Sequence, residues 1–300
     1  MAPFRRARMP WGCVMADSNL RYLEGDLQVT TSVEASDDAH DRALRAPWKA
    51  FFGMLAFAAA VFAAYRIYQH ETAFTFGLDY FNPEFATYWM SVLYSELAIE
   101  VLLGIAIVGY LWITRDRNLD KITPSEELRR YLVLMSQLLM FGAIAYVVTS
   151  IYTESDAAWH QVTVRDTDFT PTHIGLFYFG VPVFILSVLT AFVYARTRIP
   201  AFAKRVSLPF ALLVAGPVMI MPNLGFNEWG HTFFYAEELF AAPIHWGFVL
   251  LGWATFAAGG LLVQILTRVV QLTQVVSSAD VQQTNIKSEA AANAELNAAA

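Results

Sequence analysis

The chain has 300 residues, of which 56% are hydrophobic and only 15% charged. That is too apolar for an ordinary soluble domain of this length. A net charge of −6 with no basic face excludes nucleic acid as a partner, and a single cysteine, Cys13, excludes an internal disulfide or a thiolate metal cluster.

Residues 1–47 read as a polar cytoplasmic segment. They open on the basic MAPFRRARMP, but no apolar signal-peptide core precedes the acidic SVEASDDAHD. Six apolar runs follow, at residues 48–68, 88–113, 131–152, 173–194, 208–224 and 239–266, most of them near the length of a bilayer-spanning helix. The expectation is an all-α, polytopic integral membrane helical bundle of about six transmembrane helices over residues 48–270. A seventh span, or a re-entrant piece near Phe74–Phe85, stays open. Residues 271–300 read as a polar, Ala-rich cytoplasmic tail, loose or weakly helical.

Basic residues set the orientation. Arg42, Arg45 and Lys49 precede span one. Arg115, Arg117, Lys121, Arg129 and Arg130 lie between spans two and three, and Arg196, Arg198, Lys204 and Arg205 between spans four and five. The other side carries only Arg66 and Arg165 near its loops. Basic loops mark the cytoplasmic face, so both termini are expected there.

Two polar windows then share the opposite face. In the first, Asp156 and His160 are four residues apart and share a helix face if span three continues to about Gln161. His173 follows after Pro171; the polar RDTD stretch and the proline argue for a turn that brings it back. In the second, NEWGHTFFYAEELFAAPIH, Asn227 and His231 are four apart and His245 follows just after Pro243. Each trio pairs two imidazoles with an oxygen donor, which suits a first-row metal such as copper. Four of the six histidines fall in these windows. The plainer reading is that such residues face water or cap helices at a membrane edge.

Other polar residues carry two readings each. Glu228, Glu237 and Glu238 are either partners that fix imidazole tautomers or interfacial residues. Glu96 and Glu100, one turn apart in span two, must face protein or a wet cavity, for structure or for proton handling. Arg165, Asp166 and Asp168 read as loop-ordering. Trp159, Trp229 and Trp246 read mainly as an interfacial belt, and otherwise as the lining of an apolar substrate route.

Several long motifs resemble one family. They are GLDYFNPEFATYWM at 77–90, YLWITRDRN at 110–118, DAAWHQVTVRDTDFTPTH at 156–173, PNLGFNEWGH at 222–231 and EELFAAPIHWGF at 237–248. Together they resemble the C subunit of the particulate methane and ammonia monooxygenases, the copper membrane monooxygenases. The resemblance implies a protein that assembles with A and B subunits as a trimer of heterotrimers in a bacterial inner or intracytoplasmic membrane. It implies a metal site at Asp156, His160 and His173 and a copper site at Asn227, His231 and His245. The implied reaction is hydroxylation of a small apolar gas (methane, a C2–C4 alkane, or ammonia) with dioxygen, with quinol a candidate electron donor.

The second trio is the favoured catalytic one, because neutral ligands favour Cu(I); the roles could be reversed, and the first trio also suits zinc or iron. Where the family pattern differs, at Ser155, Leu176, Gly180, Val181, Phe234 and Ala236, the substrate is put in doubt. The expectation is a copper-dependent, membrane-bound monooxygenase component. The alternative is a structural or assembly subunit of the same complex, with catalysis on another chain.

Overall fold

The computed structural model describes residues 47–163, 169–216 and 253–299. The helices begin and end where local chemistry directs. Helix α1, Trp48–Phe76, closes at Gly77, whose N–H donates to Ala73 O at 2.9 Å. The next span enters through Pro83 at a helix start, where its missing N–H costs nothing, passes a π turn at Ala86–Met90, and continues as α2, Ser91–Ile113. Helix α3, Pro124–Val147, starts on a Thr123 cap whose side chain accepts from the Glu126 N–H at 3.2 Å. Glu126 and Glu127 in its first turn favour the positive end of the helix dipole.

A second π turn, Val148–Tyr152, leads α3 directly into α4, Thr153–Val162. After residue 169 the chain re-enters through Pro171–His173 and a third π turn, Ile174–Gly180, into α5, Val181–Arg198. The short α6, Pro200–Lys204, and a helical stretch at 208–216 follow. Helix α7 runs Trp253–Ala299. The fold is therefore an all-α polytopic bundle, and among the described residues five helical spans are long and apolar enough to cross a membrane. The expected run at 208–224 is described only as far as residue 216.

The core is the seam between α3 and α5. Leu134, Phe141 and Ile144 meet Phe184, Val188, Ala191 and Ala195, and the Phe141 and Phe184 rings stack at 4.8 Å. Ala191 and Ala195 let the two backbones approach, as small residues do between membrane helices. Helix α7 lays a stripe of Ala257, Leu261, Ile265, Leu272 and Val276 against α3, all on one helical face. Arg268 clamps this seam by a two-pronged bond to Glu127, at 2.9 and 2.8 Å. Over the stretch expected to be loose or weakly helical, α7 continues unbroken to Ala299: no glycine or proline occurs after Gly260, and alanine is the strongest helix former.

One end of the bundle is tied by charge. Arg130 donates to Asp116 Oδ2 at 2.8 Å, to Glu126 Oε1 at 2.9 Å and to Arg198 O at 2.6 Å. Arg198 in turn donates to Leu111 O and Thr114 Oγ1. The Asn118 N–H, and then Arg130, hold the Asp116 carboxyl below its usual range.

Burial is uneven. The most apolar stretch of the Pro171–Arg198 span is 44% buried within the chain, that of α1 only 11%, and that of the Pro83–Ile113 span only 17%. Phe52, Phe57, Ile67, Ile99, Leu102 and Trp112 are exposed along these two outer helices.

Candidate functional site

The polar window at the end of α3 is built by helix continuation. Because the π turn Val148–Tyr152 does not end the helix, α4 carries Asp156 one turn past Tyr152, in line with the expected extension of span three. The Thr163 N–H closes this helix on Trp159 O at 3.0 Å. On the return, Thr170 is extended and its hydroxyl accepts from the His173 N–H at 3.1 Å. That cap, with Pro171 in the first turn, turns His173 inward. Its ring is 1% exposed and packs on Phe177 at 5.0 Å. His173 Nε2 lies 3.4 Å from Asp156 Oδ1, with Asp156 itself 7% exposed. The expected fold-back therefore exists for this pair.

The residue that organises the surroundings was missed from sequence. Gln69, 1% exposed near the end of α1, donates from Nε2 to Pro171 O at 3.1 Å. Its Oε1 accepts from Arg66 Nη1 at 2.9 Å and from Ser155 Oγ at 3.3 Å. One amide thus joins α1, α4 and the start of the Pro171 span. The signal was a glutamine directly after an apolar run that ends, by hydropathy, at Tyr68. Packing around it is close. A Cβ on Gly175 would sit 3.0 Å from Tyr65 Cε1 and 3.2 Å from Gln69 Nε2. One on Gly77 would sit 2.3 Å from Pro171 Cγ and 2.6 Å from Ala73 O. Tyr152 donates to Phe62 O at 2.9 Å, which pins the second π turn to α1.

Trp159 is not a belt residue. It is 3% exposed and packs against Phe74 at 5.1 Å. Leu176 is buried in the core, and Ser155 serves Gln69. His160 lies on α4, four residues beyond Asp156, with its side chain outside the described residues. Asn227, His231 and His245 also lie outside them, as do Arg165, Asp166, Asp168, Glu228, Trp229, Phe234, Ala236, Glu237, Glu238 and Trp246.

Among the described residues, no group of three or more His, Cys, Asp or Glu is placed to hold a metal ion. Asp156 and His173 are a pair, and the side chain of His160, the expected third donor, lies outside the described residues. The family profile for the C subunit of ammonia monooxygenase/methane monooxygenase matches residues 30–276. The chain belongs to this family.

No curated protein matches the sequence. Membership makes the chain a component of a multi-subunit monooxygenase complex, and the helices make it a multi-pass membrane protein. The lack of a described metal-holding group, together with the match to the C-subunit family, overturns the expectation that this chain is a copper-dependent, metal-binding oxidoreductase. Among the described residues nothing supports copper, zinc or iron as its cofactors: the described donors stop at two. The alternative, a structural or assembly role, is the better supported.

Proposed function

We propose that this chain is a structural and assembly subunit of the monooxygenase, with catalysis on another chain of the complex. The observation that carries the reading is the sparse burial of α1 and of the Pro83–Ile113 span in a chain that belongs to a subunit family. Their broad apolar faces offer the area that neighbouring subunits and lipid need. The partners are the A and B subunits, as a trimer of heterotrimers. The setting is a bacterial inner or intracytoplasmic membrane, with both termini cytoplasmic on the strength of the basic loops. In this reading Asp156 and His173, with Gln69, lock the return of the chain so that these faces are presented in a fixed geometry.

The test replaces Asn227 or His231 with alanine in the intact complex and verifies assembly by co-purification. Activity per assembled complex is expected to be unchanged. A loss of activity in a complex that assembles normally overturns the reading.

A further inference from the structure

Two acids sit inside the membrane with most of their oxygens unpartnered. Glu96 and Glu100 belong to α2, and each is 7% exposed. They are one helical turn apart, about 6 Å along the axis. The Tyr65 hydroxyl of α1 donates to Glu96 Oε2 at 3.1 Å. Glu96 Oε1 and both oxygens of Glu100 are sealed from the surface and have no hydrogen-bond partner among the described residues.

Among the described residues, the surrounding elements bring no cation to either carboxyl. On α1, Arg66 is engaged with Gln69 Oε1. The π turn at 174–180 brings only Tyr178, and α5 carries Arg196 and Arg198 at its far end, where Arg198 bonds Leu111 and Thr114. An ionised carboxylate here would be desolvated, unpaired and beside a like charge; burial of such a charge is among the largest penalties a fold can carry. A partner subunit's cation does not answer the problem, because this chain alone already closes over the oxygens.

We infer that Glu96 and Glu100 form a proton-holding site within the membrane, in which both carboxyls are neutral at ambient pH. The proton of Glu96 resides on Oε1, since Oε2 accepts from Tyr65. The ligand of the site is the proton itself, and nothing in the structural role requires such a site. A pair of neutral acids at membrane depth, joined to a tyrosine hydroxyl on a second span, is a place where protons can be stored and exchanged without a net charge in lipid.

Dicyclohexylcarbodiimide, an apolar reagent that modifies protonated but not ionised carboxyls, provides the test. Membranes holding the assembled complex are treated at neutral pH and the peptides mapped by mass. In parallel, difference infrared spectra of the same membranes are recorded for wild type against E96Q and E100Q.

The expected result is an adduct on the peptide bearing Glu96 and Glu100, and a carboxylic-acid carbonyl band that shifts in deuterated buffer. That band falls by about half in each single variant and is lost in the double variant. An adduct alone, mapped on the wild-type chain, supports the site even if a variant fails to assemble. If the protonated-acid band is absent and carboxylate bands respond to the substitutions instead, the inference is overturned. A missing adduct with the acid band present supports it, and shows only that the reagent does not enter.

Discussion

Gln69→Leu is the sharpest perturbation of the site. The side chain makes three bonds, to Pro171 O, Ser155 Oγ and Arg66 Nη1, two of them to groups far away in sequence. Leucine fills a similar volume but removes the side-chain donor to the buried Pro171 carbonyl, which keeps the Ile174 N–H, and takes away the acceptor of Ser155 and Arg66. A net hydrogen bond contributes about 1 kcal/mol, somewhat less between membrane helices and more where a charge is involved. Summed, the loss is about 2–3 kcal/mol, or roughly 30- to 150-fold in the unfolding equilibrium. The assay is a sodium dodecyl sulfate titration of the purified complex in bicelles, followed by far-ultraviolet circular dichroism. Thr72→Val is the control, because the bond Thr72 donates to Tyr68 O stays within its own helix turn. If Gln69→Leu shifts the transition no further than Thr72→Val, the amide is not a junction and the account of the site fails.

Gly77→Ala is expected to lower stability by about 2 kcal/mol or more, since the new methyl group would overlap Pro171 Cγ and the rigid Ala73 carbonyl; the thermal midpoint of the complex and its yield from membranes report it. A double-mutant cycle of Glu127→Gln and Arg268→Gln should return a coupling of about 1–2 kcal/mol, because the pair is bidentate and Glu127 is buried, and a coupling near zero would dissolve the clamp between α3 and α7. Asp116 titrates lower in the folded chain than in the unfolded one. Its contribution is therefore complete above the unfolded value of about 4 and is lost as pH falls through the lower folded value. Asp116→Asn should thus flatten the acid limb of the stability profile below about pH 4 and lower the plateau slightly above it, read by chemical denaturation across pH.

The spans were legible because hydropathy over a membrane-length window is an unambiguous signal, and the turn that returns His173 to Asp156 was legible because Pro171 and the polar stretch before it left few alternatives. The end of α1 was not. The apolar run stops at residue 68, before Gln69, His70 and Glu71, yet the helix continues to Phe76, and α4 and the Pro171 turn supply partners for the glutamine. Burial of Trp159 was equally hidden, since an indole near a span end has the same sequence signature in a belt and in a core. The metal centre at Asp156, His160 and His173 rested on ligand spacing and kinship; spacing along a helix fixes a shared face, not coordination, and the His160 side chain lies outside the described residues. The π turns left no trace in the hydrophobic period, which is too coarse to register one residue.

Those three π turns carry a consequence for how the family's sequences can differ in length. Each accommodates one residue more per turn than an α-helix would, and they sit at Ala86–Met90, Val148–Tyr152 and Ile174–Gly180, the turns that hold Trp89, Tyr152 and the close approach at Gly175. Five residues of π winding turn through about the same angle as four of α, so deleting one residue there would restore regular winding and leave the flanking faces in register, whereas deleting one within a regular turn would rotate everything beyond it by about 100°. A one-residue gap confined to Val148–Tyr152 would keep Asp156 on the face that meets His173. Single-residue length variation should therefore gather at these windows and in the connecting loops, and avoid the regular turns between them.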